Sequence, residues 1–186
     1  MKREFSLAVI SILIVLGTIT CAYAIRYDGP YSGRVIDADT GAPLEGVVVL
    51  GVWNSEITTP GGAVHDFYDA RETVTDKKGE FEIPGMGFRI LSNVTPMDVL
   101  IFKAGYEHIG LYPWESLRSD LILRKKIKWE GKKAIIPLKN LTMEERKKKG
   151  TPSFPSEAYE KGNMPLLIKE INKEERAFGR LPYKER

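Results

Sequence analysis

The sequence predicts an all-β fold: an antiparallel β-sandwich carrying a short helical C-terminal extension. Three observations lead there. Between residues 31 and 138, short apolar and β-branched runs alternate with turn clusters rich in Asp, Gly and Pro, enough for about seven strands. Val47, Val48, Val49 and Leu50 form a continuous apolar run, the pattern of a strand covered on both faces. From Leu141 the spacing turns helical and opens on Thr142-Met143-Glu144-Glu145, a T-x-x-E capping box.

Taken in order, residues 25–30 read as a lead-in. The first strand covers 31–37 and runs into a tight turn made by Asp37, Asp39, Thr40, Gly41 and Pro43. Gly supplies a positive φ, Pro presets φ, and Asp or Thr side chains bond nearby N–H groups. The second strand covers 46–54, and Thr58, Thr59, Pro60, Gly61 and Gly62 mark 55–64 as a loop. A third strand at 66–75 should turn Phe67, Asp69, Arg71 and Thr73 to one face and Tyr68, Ala70, Glu72 and Val74 to the other. Residues 76–79 form a hairpin turn to a fourth strand at 80–83. The stretch 84–96 is a long loop with a short edge strand at 88–91. A fifth strand follows at 98–103, then a loop at 108–119 holding Pro113 and Trp114, and last strands at 120–123 and 133–138.

The helix begun at Thr142 ends at Gly150, and the two prolines of 151–156 keep that stretch extended or turned. A second helix covers 165–178, with Asn163 as its cap and Gly179 just past its end. Met164, Leu167, Ile168, Ile171 and Phe178 fall near one face of it. A stripe of that width needs cover, from the sandwich or from a partner. The chain therefore divides into residues 1–24, a sandwich at 25–140 and a helical extension at 141–186.

Gly33, Val35, Asp37, Thr40, Gly41, Pro43, Leu44, Gly46, Val47 and Val49 fit the pattern G-x-V-x-D-x-x-T-G-x-P-L-x-G-V-x-V. Thr75, Asp76, Gly79, Phe81, Ile83 and Pro84 fit T-D-x-x-G-x-F-x-I-P, and Lys103, Gly105 and Tyr106 close a hydrophobic strand with K-x-G-Y. Together and in this order, the three patterns resemble the carboxypeptidase regulatory-like domain over roughly residues 31–138. The resemblance implies a seven-stranded, antiparallel, Greek-key sandwich of transthyretin-like type. It implies no catalysis, because that family is a folding and binding module.

Lys2 and Arg3 precede an apolar run, and Ala22-Tyr23-Ala24 offers the small residues that a signal peptidase reads. Residues 1–24 therefore read as a signal peptide cut after Ala24, placing the remainder in the periplasm or outside the cell. An uncleaved anchor is the alternative, although the apolar stretch 5–20 has about 16 residues against the ~20 that span a bilayer. Cys21 is the sole cysteine. A lipid anchor on it is a further alternative, with Thr18-Ile19-Thr20 a poor match to the small residues that precede lipoprotein cysteines. On this reading, membrane contact runs only through the signal segment or such an anchor, and no disulfide supports the core.

Charge is unevenly spread. Residues 25–123 hold 8 basic and 15 acidic side chains, whereas 124–149 hold 11 basic and 3 acidic. An acidic body thus carries a basic belt, which is a solvated face, or a docking surface for an acidic partner or an anionic membrane. Nucleic acid is not expected outside the cytoplasm, and the belt lacks interleaved aromatics apart from Trp129.

The parts of the common catalytic sites are missing from the sequence. There is no G-x-S-x-G elbow and no cysteine past residue 24. His65 and His108 are the only histidines, on separate segments and outside any H-E-x-x-H motif. Tyr106-Glu107-His108 resembles part of the iron site of intradiol dioxygenases, but the second nearby histidine is absent. Asp37-Ala38-Asp39-Thr40-Gly41 opens like a calcium loop without its later ligands, so both aspartates read as turn residues. No catalytic residue, metal or cofactor is expected. The expected function is a non-enzymatic exported module for protein interaction or assembly in the cell envelope. Its envelope protein partner would be met by the extension, through Leu167, Ile171 and Phe178, or by the belt 124–149. The alternatives are a carbohydrate-binding accessory, in which Trp53, Tyr68 and Trp114 stack on sugars, and a small metalloenzyme built on His65 and His108.

Overall fold

Ten strands and three helices follow one another along the residues described, which are 25–90, 92–119 and 127–185 of a computed structural model. They are β1 (Ile25–Asp28), β2 (Tyr31–Asp37), β3 (Val48–Thr59), β4 (Gly62–Val74), β5 (Glu80–Ile83), β6 (Gly87–Ile90), β7 (Asp98–Phe102), β8 (Ile109–Pro113), β9 (Lys128–Glu130) and β10 (Lys133–Leu138). A 3-10 turn at Trp114–Arg118 follows β8, and the helices are α1 (Met143–Lys149), α2 (Ser156–Glu160) and α3 (Pro165–Ala177). The fold is mostly β, as expected, with 43% strand against 20% helix among the described residues.

Two four-stranded sheets, ordered β5-β2-β10-β9 and β4-β3-β7-β8, face each other, and β1 pairs with β6 in a separate two-stranded ribbon. Strict alternation in β2 sends Tyr31, Gly33, Val35 and Asp37 inward. The first sheet contributes Val35, Phe81, Ala134, Ile136 and Leu138 to the core, and the second contributes Val49, Trp53, Val99 and Ile101. The apolar run of β3 is covered on both sides. Val47 and Val49 enter this core, while Val48, Leu50 and Val52 enter a second one with Leu100 and Phe102. The second core lies under the helices, completed by Ala158, Met164, Leu167, Ile168 and Ile171. The molecule is therefore three layers deep: sheet, sheet, helices.

The residues of the three sequence patterns meet one another. A Cβ on Gly33 would lie 2.6 Å from the Phe81 ring, and one on Gly79, whose φ is +73°, would lie 2.4 Å from the Val35 carbonyl. Thr75 is buried; its Oγ1 accepts from the Val47 N–H at 2.9 Å and donates to the Leu44 carbonyl at 2.5 Å. Tyr106 donates to Asp37 at 3.4 Å.

Several details differ from the sequence reading. The expected loop 55–64 is instead the far half of a long β3–β4 hairpin, in register down to Thr59 opposite Gly62. Only its tip turns, so Thr59 and Gly62 are strand ends rather than loop breakers. The expected loop 108–119 contains β8, where Pro113 is tolerated because β8 is an edge strand. The expected two-face alternation in β4 changes phase at Tyr68, the extra residue of a bulge opposite Trp53/Asn54. β10 runs parallel to β2, a departure from the wholly antiparallel expectation, because it returns beside β2 from the β9 hairpin in the same direction. The strand expected at 120–123, the segment 1–24 with Cys21 and Ala24, and residues 124–126 of the belt lie outside the described residues. No described helix is long and apolar enough to cross a membrane.

The capping box at α1 forms in full: Thr142 accepts from the Glu145 N–H and Glu145 from the Thr142 N–H. The cap of α3 does not come from Asn163. Met164 occupies that position without a side-chain bond. Glu72 of β4 supplies the acceptors instead, taking the Leu166 and Leu167 N–H groups at 2.6 and 2.9 Å. The sandwich itself thus caps the helix that covers it.

Candidate interaction surface

The residues expected at a contact surface are mostly interior. Leu167 and Ile171 are buried against the second sheet, which supplies the cover their stripe requires. Phe178, at the end of α3, is half-buried between the Arg146 and Arg180 guanidinium groups. Around it α3 turns acidic groups inward. Glu170 accepts from the Ala104 N–H at 3.0 Å and Glu174 from Gly105 at 3.2 Å, while Arg146 grips Glu174 through two bonds. Buried Asn172 clamps Tyr183 through both the carbonyl and the N–H of its backbone. The extension is part of the body.

Trp53 and Trp114 also lie in the core, so the two indoles form no sugar platform. Trp114 stacks edge-on with Tyr31, Phe81 and Trp129. Of the expected aromatics only Tyr68 stands well exposed, pushed out by its bulge. The two histidines do not converge. His65 pairs across the hairpin with Glu56, and His108 touches the Phe102 ring, opposite Val48. Eight residues of β3 separate those levels, about 25 Å at the rise of a strand. Among the described residues no group of three His, Cys, Asp or Glu side chains is placed to hold a metal ion. Asp37 serves its turn, accepting from Asp39 N–H, Thr40 N–H and the Thr40 hydroxyl at 2.9–3.0 Å. Those bonds, the Thr40 N–H foremost, hold its carboxyl below the usual range. The belt is partly neutralised: Lys133 bonds Glu80, Lys139 bonds Glu145 and Lys149 bonds Glu107.

A depression of about 380 Å³ on the edge of the first sheet is lined by Ser32, Asp76, Glu80, Phe81, Glu82 and Lys133. Its polar groups already serve one another. Lys133 donates to Glu80 at 2.5 Å, and Asp76 accepts from the Lys78 and Glu80 N–H groups.

The short edge strand expected at 88–91 is present as β6, but the lead-in expected at 25–30 is in fact strand β1, and sequence reasoning passed over the ribbon the two form. Its pairs are Ile25 with Ile90, Arg26 with Arg89, Tyr27 with Phe88 and Asp28 with Gly87. Alternation would let the apolar members face the protein. They face outward instead: Ile25 is 48% exposed, Tyr27 63%, Phe88 71% and Ile90 66%. The Tyr27 and Phe88 rings meet edge to face at 5.8 Å. Beneath them the arginines point in. Arg26 donates to the Val94 carbonyl at 2.6 Å, and the Arg89 guanidinium lies 5.2 Å from the centre of the Tyr68 ring. Arg26 Nε and Arg89 Nε and Nη2 are buried without a hydrogen-bond partner, an arrangement that costs free energy.

What enforces this inversion is the end of β1. Asp28 is buried and accepts three bonds, from the Tyr31 hydroxyl at 2.5 Å, Trp53 Nε1 at 2.9 Å and the Met86 N–H at 2.8 Å. Burial, then the bond to Asp28, drives the Tyr31 hydroxyl to hold its proton far above the ordinary phenol range. Gly29 and Gly85 cross in contact there, and a Cβ on Gly85 would lie 2.0 Å from the Asp28 carbonyl oxygen. A slip of one residue would exchange the ribbon's two faces, and these contacts forbid it. The sequence did carry a signal, apolar–Arg–apolar at Ile25-Arg26-Tyr27 and again at Phe88-Arg89-Ile90.

Comparison with known proteins adds no relative, since no family model, curated protein or solved structure matches the chain.

Proposed function

We propose that this chain is a non-enzymatic β-sandwich module that works by contact in the cell envelope, and that the β1–β6 ribbon is its contact face. The observation that carries the reading is the inverted ribbon. Four large apolar side chains are held toward solvent by a buried carboxylate and a glycine crossing, with the arginines turned under them. Isolated apolar residues on a surface need no explanation, but a row of four fixed outward on one face of a ribbon does. The partner-facing role moves from the C-terminal extension to this face, because the extension's stripe is already covered. Export as a mature chain beginning at Ile25, in the periplasm or beyond, belongs to the same reading.

The likeness to carboxypeptidase regulatory-like domains, with their seven-stranded Greek-key sandwich, is part of this proposal. Its support is that the residues of all three patterns pack on one another. A photo-crosslinking residue placed at Phe88 in the producing cell tests the contact face. Adducts at Phe88 that are absent from a probe at Lys147 are expected. Fractionation with N-terminal sequencing tests export, and a cytoplasmic chain retaining Met1 would overturn that part.

A further inference from the structure

We propose, resting on the contact-face reading above, that the occupant of the β1–β6 face is the surface of a lipid bilayer. Three observations on the molecule favour it over a second protein surface. First, the outward face carries only Ile25, Tyr27, Phe88 and Ile90, with no charged side chain among them. A tyrosine and a phenylalanine beside two isoleucines suit the layer between headgroups and acyl chains, where aromatic rings concentrate. Second, the face is small. With 150–250 Å² per aromatic side chain and somewhat less per isoleucine, the exposed fractions sum to roughly 400–500 Å². A stable protein interface uses about 800 Å² per partner, so a second copy of the chain is poorly matched.

Third, the charged side chains of the ribbon, Arg26, Asp28 and Arg89, all lie on its other face, toward the protein, where Arg26 bonds the Val94 carbonyl and Arg89 meets the Tyr68 ring, so no charge of the ribbon has to enter the apolar layer with the row.

The test uses the mature chain 25–186, which holds no cysteine of its own, with an environment-sensitive fluorophore on Phe88→Cys, in vesicles of phosphatidylethanolamine and phosphatidylglycerol. The same probe on Lys147→Cys of α1 is the reference, and unchanged urea midpoints establish that both labelled chains are folded. The expected result is a blue-shifted emission at position 88 that lipid-borne quenchers suppress, with a water-like emission at 147. The shift should persist at about 0.5 M salt, where charge attraction is screened within a few ångströms. Adding Tyr27→Ser should cut the quenched fraction about tenfold. A water-like emission at 88, or a shift lost in salt, overturns the bilayer as occupant. Crosslinking at Phe88 then separates the two readings. An adduct with another protein or a second copy keeps the contact face and rejects the lipid, and no adduct rejects both.

Discussion

The inner face of α3 and the outer face of the β1–β6 ribbon are both rows of large apolar side chains, yet one is covered and the other bare. On α3, Leu167, Ile168 and Ile171 meet Leu50, Val52 and Leu100 of the second sheet. Polar groups finish the joint: Glu72 caps the helix, and Glu170 and Glu174 take the N–H groups of Ala104 and Gly105. On the ribbon the polar groups also work, but in the opposite sense. Asp28, Arg26 and Arg89 occupy the side toward the protein and leave the apolar side to solvent. The comparison teaches that apolar pattern alone does not decide what is buried. The hydrogen-bonding groups that fix the register do.

The largest expected effect lies on the covered face. Leu167→Ala or Ile171→Ala should lower the urea-unfolding free energy by about 2–5 kcal/mol, as for a fully buried aliphatic side chain. A loss near zero would mean that the extension is dispensable to the fold. Gly85→Ala comes next. The new methyl meets the Asp28 carbonyl, so a destabilisation of roughly 1–3 kcal/mol is expected, as for overpacking. Hydrogen exchange should speed up in β1 and β6 while β3 and β7 stay protected. Uniform exchange across the molecule would contradict the ribbon's dependence on that crossing.

Smaller still is Glu72→Ala. It leaves the first turn of α3 without its acceptors and should cost about 0.5–2 kcal/mol, the range for a lost helix cap, read by the same urea titration. On the bare face, Phe88→Ser should change stability by no more than about 0.5 kcal/mol. A large loss there would mean that Phe88 is packed after all, and the contrast between the two faces would collapse.

Glu72→Gln sharpens the comparison through pH. Burial raises the Glu72 carboxyl above its ordinary 4.5, against the pull of the two helix N–H groups. The folded chain therefore keeps that proton to higher pH than the unfolded chain does. Its contribution falls as pH rises from about 4.5 through the raised value. Asp37, Asp76, Glu80 and Glu145 run the other way. The Thr40, Glu80 and Thr142 N–H groups lower the first, second and fourth, and Lys133 lowers Glu80. Their contributions are present above the ordinary values and are lost as pH falls through the lowered ones. Urea midpoints of Glu72→Gln from about pH 3 to 7 should keep the loss on the acid side and lose the decline above 4.5. An unchanged profile would remove Glu72 as a titrating cap.

Much of the fold could be read from local residue patterns. Turn chemistry placed Asp37, Gly41 and Gly79, alternation placed β2 and β5, and the capping box placed α1, because each is settled within a few neighbouring residues. The β3–β4 hairpin was shortened in that reading because Thr59, Pro60, Gly61 and Gly62 look alike to a composition rule. Only pairing across the hairpin distinguishes a strand end from a turn. The contact face was less legible. Trp53 and Trp114 look like exposed binding aromatics in a list of residues, but both complete the core.

The sequence by itself determined a mostly β chain with terminal helices, the first of them with its own capping box, since propensity, periodicity and turn residues act over short distances. Only the tertiary structure decided which apolar rows stay bare. That choice rests on Asp28 reaching Tyr31, Trp53 and Met86, and on Glu72 reaching α3, contacts between residues up to 95 positions apart. A buried carboxylate needs its donors wherever the chain brings them, and the faces around it follow.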